Sequence, residues 1–185
     1  MAIYFLRHGQ CQANLDETFA GQADNSPLTP LGRNQAAQAA EDLKGVQLAG
    51  IISSPLDRTL DTAKIVAKRV GFDTARIRTD RRILERDMGE VSGKKKSEVP
   101  NDSWEDIPGV EKPDAFQARV LDFFRELATH AEGDILVVSH SGVGSMLEAA
   151  HQGIPAAQFF TLSPYPNGHI AQLDLSWLHP AKNAL

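Results

Sequence analysis

The sequence predicts an α/β fold, a parallel or mixed β-sheet covered by helices on both faces. Three observations carry this. Short apolar runs (Ile3-Tyr4-Phe5-Leu6, Leu48 to Ser53, Ile135-Leu136-Val137-Val138) have the length and composition of buried strands. Other segments place apolar residues at helical spacing. The two kinds of segment alternate along the chain, which is the pattern of a sheet buried on both sides.

Taken in order, strand one runs from about Ala2 to Leu6. Thr29 then stands as an N-cap before Pro30, a residue suited to the first helical position. Ala36, Ala39, Ala40 and Leu43 form one apolar face, and Gly45 closes the helix. Leu48 to Ser53 is a second strand. Ser54-Pro55 repeats the cap-plus-proline start, and Leu56, Leu60, Ala63, Val66, Ala67 and Val70 give the inner face of a helix stopped by Gly71. Arg76 to Thr79 predicts a short strand. Residues 86 to 112 are polar and rich in Gly, Pro and Lys, and predict a long lid-like loop with short helical turns. Pro113 opens a third helix with Phe116, Val120, Phe123 and Leu127 inward. Ile135 to Ser139 leads into a helix through Val143, Met146, Leu147 and Ala150, and His169 to Leu175 reads as a last strand, antiparallel and at an edge.

With 185 residues and 42% hydrophobic content, the expectation is one globular domain over residues 1–185. The net charge of −5 argues against a nucleic-acid partner. It leaves room for an anionic substrate, because a few arginines in a cleft override the global sign locally. Cys11 is the only cysteine, so no intramolecular disulfide can form and a reducing compartment is the simplest home. There is no basic-then-apolar leader and no run of about 18 apolar residues. The expectation is a cytoplasmic protein without a membrane partner, monomer or homodimer, whose last strand is a free edge or a pairing surface.

Four segments carry chemistry. Arg7-His8-Gly9 follows the first strand, and in an open α/β sheet ligands bind beyond the carboxyl ends of strands. A histidine there can act as a nucleophile and an arginine beside it can hold a phosphate; alone, the tripeptide reads as well as a hydrogen-bonded histidine near a turn. Asn14 adds a polar group close by. Arg58 sits in the first turn of its predicted helix, where a cation opposes the helix dipole. An anion between it and the free N–H groups would offset that cost. Glu85 can be the general acid that protonates a leaving alkoxide, the ordinary alternative being a loop carboxylate paired to Arg82 or Arg86. His140, in Ser139-His140-Ser141-Gly142, can join the following helix N-terminus in donating to phosphate oxygens, or can be a core histidine that caps the helix. Singly, each ordinary reading competes. Jointly they would have to supply, by accident and in this order, a nucleophile, two arginines, a carboxyl acid and a second histidine.

The segments LRHGQCQAN (6–14), GQADNSPLTPLGRNQA (21–36), ISSPLDRTLDTA (52–63), LERDMGEVSG (84–93) and VVSHSGV (137–143) resemble the histidine phosphatase superfamily, the clan of phosphoglycerate mutase and its phosphatase relatives. The resemblance runs from Ile3 to about Leu147. It implies a three-layer α/β/α sandwich with a mostly parallel sheet, and a covalent phosphohistidine. It implies that His8 is the nucleophile, that Arg7, Arg58 and His140 bind the phosphoryl group with Asn14 assisting, and that Glu85 first protonates the leaving oxygen and then activates water. Gly21, Gln22, Arg86, Ser141 and Gly142 fall in the matching segments as candidate phosphate- or substrate-binding positions. No metal or other cofactor is implied. His8 must be neutral to attack, whereas a charged His140 would bind phosphate better, so the two pKa values are expected to be pushed apart. Cys11 departs from the family, which usually carries Ser or Thr there. A thiol is a weaker donor to phosphate and, if exposed, is open to oxidation.

Mutases of this clan carry a longer insertion after the acid segment. Here about two dozen residues separate Gly89 from Pro113. A shorter lid admits water to the phosphohistidine, so the resemblance points to a small phosphomonoesterase acting on a small phosphorylated substrate, like the alpha-ribazole, phosphoserine and broad-specificity sugar phosphatases. Mutase-type phosphoryl transfer is the alternative. Phosphohistidine-protein phosphatases are also short, but many lack the carboxyl acid, so Glu85 favours an alcohol leaving group. A metal hydrolase with His8, His140 and Glu85 as ligands fits poorly with two arginines, and a non-catalytic phosphate-binding module leaves the complete set unexplained. Residues 86 to 112 and the side chains around Phe19 and Gln22 would set the alcohol half, and no motif speaks there. Lys94, Lys95 and Lys96 can meet a second anionic group, although solvated lysines are the simpler reading.

Overall fold

The computed structural model describes residues 1–99 and 107–178. Its five-stranded sheet comprises β1 (Ile3–Arg7), β2 (Leu48–Ser53), β3 (Arg78–Thr79), β4 (Asp134–Ser139) and β5 (Ile170–Leu173), in the order β3-β2-β4-β1-β5. The pairs β1–β4, β2–β4 and β2–β3 are parallel, and β5 closes the edge antiparallel to β1. Helices α2 (Pro30–Asp42) and α3 (Asp57–Val70) cover one face, and α4 (Pro113–His130) and α5 (Ser141–His151) cover the other. This is the three-layer α/β/α sandwich.

The central strands are apolar on both faces because both faces are covered. Side chains alternate along a strand, so Ile135 and Val137 of β4 pack with Phe116, Val120 and Phe124 of α4, while Leu136 and Val138 pack with Ala40 of α2 and Val66 of α3. Burying one such Leu, Val or Phe side chain contributes roughly 1.5–3 kcal/mol.

Helix starts follow the sequence at α2, where Pro30 is at the first position and Thr29 Oγ1 accepts from Gly32 N at 3.0 Å. Pro113 also stands at the first position of α4, there without a capping side chain. The cap-and-proline reading of Ser54-Pro55 is corrected: α3 begins at Asp57, its N-cap residue is Leu56, and no side chain caps it. Ser54 is fully buried and its hydroxyl is turned to His140 instead. A short helix, α1 (Gln12–Leu15), stands where the sequence predicted no element, because four residues are too few to show a period. The 86–112 segment holds 3-10 turns at Gly89–Val91 and Lys96–Glu98. Met88, Val91, Val99 and Val110 pack there with Phe19. Part of this lid-like loop, residues 100–106, and the chain beyond 178 lie outside the described residues.

Strand register builds the site. Arg7 lies opposite Ser139 and Ser53 opposite Val138. His8, His140 and Ser54 therefore leave the carboxyl ends of three neighbouring parallel strands side by side. His8 N donates to Ser139 O at 2.9 Å and Ser54 N to Val138 O at 3.0 Å, which extends the ladder by one residue past each strand.

The loop after His8 runs against the start of α2 with no room for side chains. A Cβ on Gly9 would lie 2.2 Å from Gly32 O, and one on Gly32 would lie 2.0 Å from Gln10 O. Gly32→Ala is expected to cost about 1–3 kcal/mol in urea unfolding and to lower turnover, because the backbone that must yield is the one carrying His8. An unchanged melt with unchanged turnover would show that this contact does not hold the loop.

Candidate active site

His8 is 3% exposed, His140 is fully buried, and their rings meet edge to face with centroids 5.3 Å apart. His8 Nδ1 lies 2.7 Å from Gly9 O. A carbonyl only accepts, so Nδ1 carries the hydrogen and Nε2 keeps the lone pair that a nucleophile needs. The surrounding backbone is tied down. Gly9 N donates to Thr62 Oγ1 at 3.1 Å, and Asn167 Nδ2 donates to His8 O at 3.0 Å.

His140 Nε2 lies 2.8 Å from Ser54 Oγ, and its Nδ1 is buried without a hydrogen-bond partner. When the Ser54 hydroxyl donates to Nε2, the neutral ring carries its hydrogen on Nδ1 and can donate from there. Burial, and then the positive charges of Arg58 and Arg7, hold His8 well below the usual imidazole range. Burial, Arg58 and His8 do the same to His140. The expectation of opposite protonation states is therefore not met: the same burial and the same arginines push both rings to the neutral form. In that tautomer the neutral ring offers what the expectation sought from a charged His140, a donor beside His8.

Arg58 is 1% exposed although it sits in the first turn of α3. Its Nη1 and Nη2 donate to Asp24 O at 2.7 Å and Gly21 O at 2.8 Å, and its Nε is buried without a partner. Arg7 Nη1 donates to Tyr165 O, and its Nε is likewise buried and unpartnered. Burial lowers both guanidinium pKa values and Glu85 opposes this, but arginine stays charged in proteins. The hydrogen-bond partners of these two cations are carbonyl oxygens, not carboxylates. Nearby carboxylates, Glu85 first, meet these charges only in part and without a hydrogen bond to either cation. An under-compensated charge away from water is costly, which favours an anion in the site.

Among the described residues Glu85 supplies the one carboxylate on the cavity wall. Its Oε1 accepts from Arg86 N at 3.0 Å and its Oε2 from Gly142 N at 3.2 Å. A Cβ on Gly142 would lie 2.2 Å from Glu85 Oε1, so glycine is required for the acid to approach α5. All the site residues expected from sequence except Gln22 and His140 line one cavity of about 360 Å³. His140 backs the wall against His8. Gln22 is turned away, with Nε2 on Glu85 O at 2.9 Å, so it holds the acid's backbone. Gly21 contributes its carbonyl to Arg58 at a φ of +51°. Asn14 Oδ1 is taken by Cys11 N, Cys11 Sγ and Asn167 Nδ2, which leaves its own Nδ2 for an anion. Arg86 Nε donates to Glu111 O at 2.8 Å. Ser141 Oγ is buried and unpartnered at the start of α5. Cys11 is fully buried, which removes the exposure that oxidation would need. Among the described residues no three His, Cys, Asp or Glu side chains gather as a metal ion would require, and no helix is long and apolar enough to cross a membrane.

Several participants escape a reading by motif. Ser54 was legible only as a helix cap. Thr62, four residues after Arg58, accepts from Gly9 N and donates to Arg58 O at 2.8 Å. Asn167 and Arg119 reach the site from 3-D neighbours far away in sequence, with no local signal.

The buried histidines give stability a pH dependence of definite sign. An unfolded histidine titrates near 6.5, whereas these two stay neutral to lower pH in the fold. The unfolded chain then binds more protons, so their contribution is fully present above about pH 6.5 and is lost as pH falls from there toward the lowered folded values. Urea unfolding at pH 7.5 and 5.5 should show a loss that is smaller in His140→Asn, by up to ~1.4 kcal/mol per pH unit. Equal losses in the two proteins would mean that His140 is not held neutral.

Comparison with known proteins identifies the family. Residues 3–180 match the family described as the histidine phosphatase superfamily (branch 1). A 2,3-bisphosphoglycerate-dependent phosphoglycerate mutase of Thermoplasma acidophilum is 34% identical over 145 residues, 74% of this chain and 68% of the relative. A probable phosphoglycerate mutase of Salmonella choleraesuis is 33% identical over 169 residues, 84% of this chain and 77% of the relative. Among solved structures, a mycobacterial glucosyl-3-phosphoglycerate phosphatase matches with a TM-score of 0.78 at 28% identity, covering 94% of this chain and 92% of that one. A putative alpha-ribazole-5'-P phosphatase of Escherichia coli matches with a TM-score of 0.81 at 27% identity, covering 96% and 92%. With a family match over residues 3–180 and relatives 33–34% identical over most of its length, the chain belongs to the histidine phosphatase superfamily.

Proposed function

We propose that the protein is a phosphomonoesterase that hydrolyses a small phosphate ester through a phosphohistidine on His8, without a metal. One observation carries the reading: Arg7 Nε, Arg58 Nε, His140 Nδ1 and Ser141 Oγ are all buried and unpartnered around the same histidine. Nearly all buried polar groups in proteins are paired. A phosphoryl group has oxygens to satisfy such donors and the charge to balance two guanidiniums.

In the first step His8 Nε2 attacks phosphorus and the ester P–O bond breaks. The arginines balance charge on the transferring oxygens. Glu85 gives its proton to the leaving oxygen, so an alcohol departs. The phosphorylated ring is cationic, and Gly9 O holds its Nδ1–H. In the second step water gives a proton to Glu85 and attacks phosphorus, the N–P bond breaks, and inorganic phosphate leaves with the ring neutral again.

The alcohol half would meet the outer part of the cavity, where Phe19, Met88, Phe159, Phe160, Leu162 and Pro164 stand. Phe160 is 60% exposed, so an alcohol with an apolar face has a surface to cover. Of the three adjacent lysines, Lys96 alone lines the cavity and is the one able to meet a second anionic group. Relatives named as phosphoglycerate mutases support a second reading, transfer of the phosphoryl group back to a sugar acid.

Phosphate release from a panel of small esters in excess chelator separates these. The wild type should turn over, and His8→Ala should lose on the order of 10³-fold or more in kcat. Equal activity in the two proteins, or activity abolished by chelator, would sink the proposal. Transfer between sugar acids without phosphate release would move the assignment to a mutase.

A further inference from the structure

We infer that Arg119 and Glu111 are positioning residues for the catalytic acid: the Arg119 guanidinium fixes the backbone that presents Glu85, and Glu111 fixes Arg119. This rests on the reading of Glu85 as the proton donor.

Glu85 ends an irregular stretch, a 3-10 turn at Arg81–Ile83 followed by extended chain. Carbonyls in such a stretch have no ladder to accept them and need partners from elsewhere. Arg119, two turns into α4, supplies three of them. Its Nη1 donates to Arg82 O and Leu84 O, each at 2.7 Å, and its Nη2 donates to Glu85 O at 2.9 Å. Its Nε and Nη2 also donate to the two oxygens of Glu111, at 2.7 and 2.8 Å. These bonds use all five N–H groups of the guanidinium. The guanidinium carbon also sits 4.7 Å from the centre of the buried Phe116 ring.

Glu111 holds the far side of the same stretch. Its carboxylate accepts from Asp87 N at 3.2 Å, its backbone N donates to Asp87 O at 2.9 Å, and its carbonyl accepts from Arg86 Nε at 2.8 Å. The pair is only 19% and 16% exposed, so solvent screens it less than a surface pair. Residues 82 to 87 are thus gripped on both sides of Glu85, whose carboxylate is held separately by Arg86 N and Gly142 N. No bond in this set reaches the reacting atoms from Arg119 itself. Its action is to hold the acid where the leaving oxygen will be.

A planar fork and a mere positive charge make different predictions. The charge of Arg119 also contributes to holding His140 neutral. Lysine keeps that charge but cannot serve three carbonyls and a carboxylate at once.

The test compares two esters, 4-nitrophenyl phosphate and 2-phenylethyl phosphate. The nitrophenolate departs without a proton, whereas the alkoxide needs one, so only the second reports the acid. The quantity read is kcat/KM, which covers events only as far as alcohol departure and omits the later hydrolysis of phosphohistidine. Glu85→Gln sets the scale: the alkyl-to-aryl ratio should fall by ~10²-fold or more. Arg119→Met should lower the ratio by roughly 10-fold or more and Arg119→Lys by about 3-fold or more, since a misplacement near 1 Å costs up to ~10²-fold.

A folded Arg119→Met protein that loses both esters equally, or neither, overturns the inference. So does a Lys variant with the full wild-type ratio, which would assign the effect to charge. Should the Met variant fail to fold, Arg119→Lys and Glu111→Gln decide by the same ratio. If Glu85→Gln leaves the ratio unchanged, the acid assignment itself fails and takes the positioning role with it.

Discussion

The structure depends on one electrostatic constraint: the buried guanidinium of Arg58, the half-buried one of Arg7 and two imidazoles held toward the neutral form share a site whose only wall carboxylate, among the described residues, is Glu85. Such an arrangement is costly. The fold meets part of the cost with backbone carbonyls of Asp24, Gly21 and Tyr165, which supply partial negative charge without occupying the space beside His8. The remaining donors are left for an anion. On the proposed reading burial also serves the chemistry, because it favours an unprotonated His8 lone pair and would strengthen each arginine contact with phosphoryl oxygens.

Everything around this site limits motion. Parallel register sets His8, His140 and Ser54 on adjacent strand ends, and a one-residue slip would send their neighbours to the opposite face. Gly9 and Gly32 let the nucleophile loop press on α2, and Gly142 lets the acid press on α5. Hydroxyls and amides complete the frame: Thr62 ties the His8 loop to the Arg58 helix, and Asn167 ties it to the turn before β5. The reacting groups come from loops, but each loop is pinned to a helix or strand, which is how a flexible element attains catalytic precision.

Much of this was legible in the sequence. Apolar runs and helical spacing located the strands and the main helices because burial on two faces leaves a strong compositional mark. His8, Arg7, Arg58, Glu85 and His140 were legible only as a set: each had an ordinary reading of its own, and it was their order along the chain and the family resemblance that singled them out. The structure brings the first four to one cavity with His140 against His8. Ser54 was misread because a Ser-Pro pair beside a helix has a simpler local use, and only the sheet register shows that it faces His140 instead. The protonation of the histidines was misread because it depends on burial by residues distant in sequence. Gln22 fell in the right segment, but its side chain holds the Glu85 carbonyl and does not face the cavity. Arg119 and Asn167 had no local signal, since their partners are 34 and 159 residues away.

The central claim is that the phosphoryl group passes through His8. The direct measurement is to mix the protein with 4-nitrophenyl phosphate, quench in alkali, where phosphohistidine survives, and locate the phosphoryl group by peptide mass. The account predicts one phosphoryl group on the peptide holding His8, lost on brief acid treatment and absent from His8→Ala. A phosphoryl group on another residue, or continuing turnover by His8→Ala, would contradict it.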